Sequence, residues 1–245
     1  MNYSELIKNK KVAVVGPAQY MLSSKMGEEI DSHDIVIRLN RGIELTKEFF
    51  VDLGRRTDIL YSCLIEKPAN AGKLNAKELK DDYKVKCICT PTESTFEGIA
   101  TETKFHYLVN KKTVEEINKL LPIRIIDHSF HNDLAKKIRC RPNTGFISIY
   151  DILRYNPKSL SIYGFSFYLD GFFPGCKKGI DSEQGLSEEQ FGQNCLNSKR
   201  HIQKNMWLFA KNTLLNNEQV VLDPVLKEIL ELEMFSKDLY NEKKK

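Results

Sequence analysis

A chain of 245 residues with 41% hydrophobic and 29% charged content is long enough to bury the core of one α/β domain and too apolar to be disordered. Its net charge of +4 is too small for a nucleic-acid-binding protein, and part of it sits in the Lys-rich end Glu242–Lys245, read as a solvated tail. No run approaches about eighteen consecutive apolar residues, and Met1 to Lys11 is polar, so neither a transmembrane segment nor a secretory signal is expected and the predicted location is cytoplasmic. No Pro/Gly/Ser-rich linker divides the chain. The expected organisation is a lead over residues 1–10, one domain over 11–233 and a tail over 234–245.

In chain order, Val12–Val15 is β-branched, free of charge and bounded by Gly16-Pro17, which predicts a buried parallel strand ending in a turn. Ligands of such sheets sit at the strands' carboxyl ends, so Gly16, Pro17 and Ala18 are candidate nucleotide-binding residues, with Gly allowing close backbone approach. A second strand, Asp34–Leu39, should lie beside the first and deliver Arg38 and Asn40 to the same edge. The dinucleotide pattern G-x-G-x-x-G is absent from GPAQYM, which disfavours a dinucleotide-dependent oxidoreductase. Glu44–Val51 has roughly helical spacing, and Asp58–Cys63 reads as a third strand. Between them, Arg55 and Arg56 either pair with carboxylates such as Glu28, Glu29 or Asp52, or buttress the nucleotide loop.

The ordered spelling GEEIDSHDIVIRLN, Gly27–Asn40, followed by Gly54-Arg55-Arg56-Thr57, resembles the large sialyl motif of glycosyltransferase family 29, the sialyltransferase family. The resemblance implies a sialyltransferase-type fold, a GT-A-like variant: one α/β, Rossmann-like domain with a mostly parallel sheet and helices on both faces. It implies a CMP-sugar donor and a glycan acceptor, and it gives Arg56 and Thr57 a supporting role beside the nucleotide. The positions matching the disulfide of the animal enzymes are Val12 and Asn156, so that cross-link is absent, in keeping with a reducing compartment. The short form, without anchor or stem, points to a bacterial or viral setting.

Further along, Pro68–Gly72 is a loop, Val85–Cys89 is a strand with Cys87 and Cys89 on one face, and Thr90 and Thr92 put hydroxyls at its end. Thr113 is expected to cap a helix carrying Val114, Ile117, Leu120 and Leu121, with Glu116 completing a capping box; Ile123–Ile126 is the next strand. His128 and His131, near Asp127 and Asp133, lack the spacing of a metal pair and are read as incidental imidazoles of a polar loop. No D-x-D occurs, so no divalent metal and no cofactor are expected.

Arg141–Phe165 offers a Pro-Asn-Thr-Gly turn, an apolar helix from Phe146 to Tyr155, a stop at Pro157 and a strand from Leu160 to Tyr163. Asn143, Thr144 and Gly145 stand at a helix N-terminus, where unpaired amides and the helix dipole favour an anion. This segment resembles the family's small sialyl motif, which makes those three residues nucleotide-binding. Ser166–Asn197 is read as an irregular substrate loop, with Phe167, Tyr168 or Phe172 available to stack on an acceptor sugar. Ser198–Leu215 is predicted to be an amphipathic helix with His201 in its first turn. His201 resembles the His of the family's very small motif, which implies the general base; Met206 occupies that motif's Glu position, and the aromatic third motif is not found. The alternatives are an idle histidine in a non-catalytic nucleotide-binding protein, or a transferase of another CMP-activated acidic sugar such as Kdo. A last strand, Gln219–Leu222, and a helix capped by Asp223-Pro224 close the domain.

Overall fold

The computed structural model describes residues 2–91 and 111–243. Within them the chain forms helix α1 (Tyr3–Ile7), strand β1 (Lys11–Val15), α2 (Gly27–Asp31), β2 (Ile35–Leu39), α3 (Phe50–Leu53), β3 (Ile59–Tyr61), α4 (Ala76–Asp81) and β4 (Cys87–Thr90). After these come α5 (Lys111–Leu120), β5 (Ile123–Ile125), α6 (His128–Ile138), α7 (Thr144–Leu153), β6 (Ser159–Tyr163), α8 (Ile180–Gln184) and α9 (Glu188–Leu196). The last elements are α10 (Gln203–Leu214), β7 (Val220–Leu222), α11 (Pro224–Glu231) and α12 (Lys237–Lys243).

The seven strands make one sheet in the order β5-β4-β3-β2-β1-β6-β7, and every pairing is parallel. Strand alternation divides β1 between two layers: Val12 and Val14 face a core shared with α7, α10 and α11, while Ala13 and Val15 face a core shared with α2 and α3. Helices therefore cover both faces, as a sheet buried on both sides requires. The order runs outward from β1 to β5 and then returns to β6 on β1's other flank. That reversal creates a crevice at the carboxyl ends of β1 and β6, the usual ligand position in an open α/β sheet.

Several boundaries differ from the expected ones. The lead contains α1, whose Tyr3 and Ile7 are buried in the main core, and the tail contains α12, whose Tyr240 is buried. Residues 40–47 form a 3-10 helix instead of the start of an α-helix. Thr113 lies inside α5, not before it. His128 and His131 are on α6, not in a loop, because Asp127 caps that helix by accepting from the Ser129 amide at 2.9 Å. The segment read as an irregular loop contains α8 and α9, the latter started by a reciprocal Ser187/Gln190 capping box. Thr92 of the expected hydroxyl pair lies outside the described residues, as do Met1, Lys244 and Lys245; Thr90 is fully buried. All six cysteines are free thiols. Among the described residues no helix is long and apolar enough to cross a membrane.

The floor of the crevice is a crossing of two backbone turns. Gly16 N–H donates to the Tyr163 carbonyl at 2.7 Å, and Ala18 N–H to the Gly164 carbonyl at 3.0 Å. Gly164 is in turn held by the Asp223 carboxylate at 2.9 Å, and Tyr20 bridges Asp223 to the Phe165 amide. A Cβ on Gly16 would stand 2.3 Å from the Gly164 carbonyl oxygen. Because that neighbour is backbone, relief requires the two turns to separate. Gly16→Ala is therefore expected to cost about 2 kcal/mol or more in a denaturant titration; an unchanged midpoint would refute the tight crossing.

Candidate active site

A cavity of about 370 Å³ opens at this crevice, walled by Pro17 and Ala18 after β1, Asn40 after β2, the start of α7 and Phe165 after β6. Gly16 lies beneath the wall against Gly164. The expected role of the β1 loop changes accordingly. The amides of Gly16 and Ala18 are already engaged, Pro17 has none, and its carbonyl accepts from Phe173 at 2.7 Å. This loop shapes the cavity but does not supply it with amide donors.

Donors come from α7. Asn143 caps the helix by accepting from the Phe146 amide at 2.8 Å. The amides of Thr144 and Gly145, first in the helix, have no intrahelical acceptor, and both residues line the cavity. Asn40, with φ of 43°, turns its side chain back so that Oδ1 accepts from the Cys63 amide at 3.0 Å, which leaves the amide N–H groups as donors.

The cavity's charge is one-sided. Arg41, Arg141, Lys177 and Arg200 line it, and among the described residues no Asp or Glu does. Burial, reinforced by neighbouring Arg200, brings the Arg141 guanidinium down to a pKa of about 10, still fully charged at neutral pH. Such a cavity suits an anionic ligand.

His201 also lines the cavity. It precedes α10 instead of lying within it, because the Ser198 hydroxyl accepts from the amides of Arg200 at 3.3 Å and His201 at 3.1 Å and holds a turn there. Its Nδ1 is 2.8 Å from the Arg141 carbonyl. A carbonyl only accepts, so Nδ1 carries the hydrogen and Nε2 keeps the lone pair. Burial pulls the His201 pKa down to about 4, the Arg141 and Arg200 charges adding to the effect, so the ring is neutral at neutral pH. Met206 is fully buried and reaches the cavity wall.

Residues 5–168, more than half of the chain, match glycosyltransferase family 29 (sialyltransferase). The chain belongs to this family. A crystal structure of a mammalian sialyltransferase is similar over 90% of this chain and 71% of that one, at 18% identity and a TM-score of 0.50, a likeness of fold. A mammalian sialyltransferase in complex with Gal-beta-1-3GalNAc-ortho-nitrophenol matches at 19% identity over 90% and 71% of the two chains, with a TM-score of 0.48. The sialyltransferase CstII from Campylobacter jejuni, in complex with the substrate analogue CMP-3FNeuAc, matches at 12% identity over 77% and 75%, with a TM-score of 0.47. No curated protein sequence matches the chain.

In this family-29 glycosyltransferase, most of the large motif is architecture at the opposite end of the sheet. Asp31 accepts from the amides of Arg55 at 2.8 Å and Arg56 at 3.0 Å, Asp34 from Lys11 at 2.8 Å, and His33 Nε2 meets the Ser161 hydroxyl at 2.8 Å. Arg38 follows strand alternation onto the α2/α3 face, where it is buried and donates to the carbonyls of Leu53 and Arg56. It does not reach the cavity. Arg56 clamps the carbonyls of Asp31 and His33 and pairs with Asp58 at 3.0 Å, Arg55 stacks on Phe50, and Thr57 is buried beside them. Arg56 and Thr57 therefore support the amino ends of β2 and β3, not the nucleotide loop. Of the large motif's polar side chains, Asn40 is the one that reaches the cavity.

Sequence reasoning does not single out Arg141 or Lys177, and it reads His131 as an incidental imidazole of a polar loop. Arg141 had a signal, since it stands two residues before the Asn143 cap. His131 is buried on α6, lines the cavity and has an Nε2 with no partner among the described residues; burial, with Arg141 nearby, takes its pKa to about 4. The aromatic wall was anticipated in kind: Phe167, Tyr168 and Phe172 all face the cavity. Phe167 and Tyr168 have φ of 50° and 62°, a left-handed conformation that bulky residues rarely adopt and that folds retain mostly at ligand sites.

Proposed function

We propose that this family-29 protein transfers sialic acid from CMP-sialic acid to a hydroxyl of a glycan, with inversion and without a divalent metal. The observation that carries the reading is a cation-lined cavity, with no Asp or Glu of the described residues in its wall, in which the α7 N-terminus and the His201 ring converge. In the proposed step, the acceptor oxygen attacks the anomeric carbon and its proton passes to His201 Nε2. The bond from that carbon to the phosphate oxygen breaks, and its electron pair leaves on CMP. The added charge falls on the phosphate, where the Thr144 and Gly145 amides and Arg141 stabilise it. A monophosphate leaving group carries less charge than a diphosphate, which a helix terminus and one guanidinium can meet. Asn40 and Asn143 would orient the nucleotide, and Pro17 and Ala18 would bound it.

Thermal unfolding with CMP, CDP, UDP and NAD, each with and without EDTA, tests this. At a hundredfold excess over Kd, CMP is expected to raise the Tm by about 5 °C or more, indifferent to EDTA. Arg141→Met should weaken CMP binding about tenfold or more. No CMP shift, or a shift with a diphosphate that vanishes in EDTA, would overturn the reading.

A further inference from the structure

We propose that Lys177 is a specificity residue whose ammonium binds a carboxylate of the substrate, at a subsite apart from the phosphate site on α7. The inference rests on the transferase reading above. Lys177 is only 6% exposed and lines the cavity. Its Nζ donates to the Ala69 carbonyl at 2.7 Å, lies 3.5 Å from the Asn70 carbonyl, and stands 5.1 and 5.5 Å from the ring centroids of Phe172 and Phe191.

Carbonyls and ring faces compensate a buried cation only in part, and among the described residues no carboxylate forms an ion pair with it. The carboxylate of Glu188 is spent on the chain itself, accepting from the amides of Lys177 at 2.6 Å and Gly175 at 3.0 Å. This clamp fixes the backbone that carries the ammonium but leaves its charge unmatched. Arg41, another cation of the cavity, differs: it already pairs with Glu44 at 2.8 Å and donates to the Lys178 carbonyl. Lys177 therefore presents a buried ammonium to a cavity that no Asp or Glu lines among the described residues. A phosphate on Thr144 and Gly145 is held from the α7 wall, whereas Lys177 hangs from the segment packed on Ala69 and Asn70. A substrate with a second anionic group satisfies both.

The carboxylate can belong to the donor sugar or to an acidic sugar on the acceptor, and the arms of one experiment separate them. Lys177→Gln keeps a donor for the Ala69 carbonyl and removes the charge; Lys177→Arg keeps the charge. Binding constants are measured for CMP and CMP-sialic acid, and KM for a neutral acceptor glycan and its sialylated counterpart. If the donor supplies the carboxylate, the Gln variant holds CMP as wild type does and loses more than about tenfold for CMP-sialic acid. If the acceptor supplies it, both donor-side constants stand and KM rises similarly for the sialylated acceptor alone. In either case the Arg variant recovers most of the loss. Parallel weakening of CMP and CMP-sialic acid, or no change in any constant, overturns the proposal. Should the Gln variant not fold, wild type decides: carboxyl methyl esters of the donor and of the acidic acceptor must each be compared with the acid, and equal affinity for both pairs overturns it. A wild-type protein that binds no CMP would instead refute the transferase reading, whatever Lys177 does.

Discussion

His201→Ala is expected to lower turnover by about 10²–10⁴-fold while CMP still binds, the span usual for loss of a general base. The binding arm is retained because the proposed phosphate partners are the Thr144 and Gly145 amides and the Arg141 guanidinium, whereas the ring meets Arg141 only through its backbone carbonyl. The pH dependence adds a sign that an idle histidine would not produce. The base works only with a free lone pair, so activity is present above its pKa and is lost as pH falls through it. With burial holding His201 at about 4 in the free protein, kcat/KM should stay level from neutral pH through the ordinary histidine range near ~6.5 and fall only as pH approaches about 4. A bound donor brings negative charge beside the ring and favours its protonated form, so the acid limb of kcat should lie at higher pH than that of kcat/KM. Unaltered turnover in His201→Ala would remove the residue from the mechanism and leave a nucleotide-binding protein.

The second large effect is on stability. Asp151 is fully buried on the third turn of α7, where its carboxylate takes both Arg124 nitrogens, at 2.6 and 3.0 Å, and the Tyr61 hydroxyl at 2.7 Å. Arg124 also lies 4.1 Å over the Tyr3 ring, so the cluster ties β3, β5, α1 and α7 together. Burial alone would make the guanidinium easier to deprotonate; the hydrogen bonds and charge of Asp151 reverse this and raise its pKa above the ordinary value. Asp151→Ala leaves that cation and the Tyr61 hydroxyl without their acceptor, and is expected to cost about 3–5 kcal/mol. The measurement is a guanidinium titration with the slope checked for constancy. Asp151→Leu combined with Arg124→Met should recover much of the loss, because removing both charges also removes their desolvation penalty. A single substitution within about 0.5 kcal/mol of wild type would contradict the assigned role.

How much could be read in advance follows a physical division. Local pattern determined the fold: the β-branched run Val12–Val15, the turn at Gly16-Pro17, the Asn143 cap before an apolar helix and the Asp223-Pro224 start each act over a few residues, and each appears where expected. Family membership was equally legible, because the spelling Gly27–Asn40 records a local scaffold of Asp31, His33 and Asp34 bonds at the amino ends of the strands. That same scaffold holds Arg38, Arg56 and Thr57, so the motif's spelling points to them although none of the three lines the cavity. The motif is dense where it holds the sheet together, and strand alternation sends Arg38 to the face away from the cavity.

The site belongs to tertiary structure. Arg141 and His201 meet through one hydrogen bond across sixty positions of sequence, and that bond, not the presence of a histidine, chooses the tautomer with Nε2 free. Lys177 became a cavity cation only because Glu188 was drawn onto backbone amides and Ala69 came to face it. His131 became a buried imidazole because Asp127 started a helix through a stretch that reads as a polar loop. The sequence by itself thus determined the sheet, its caps and the family, since propensity and alternation are local; the charge, protonation and exposure of the site were decided only by the folding of distant segments against one another, since desolvation depends on what packs there and not on what lies next along the chain.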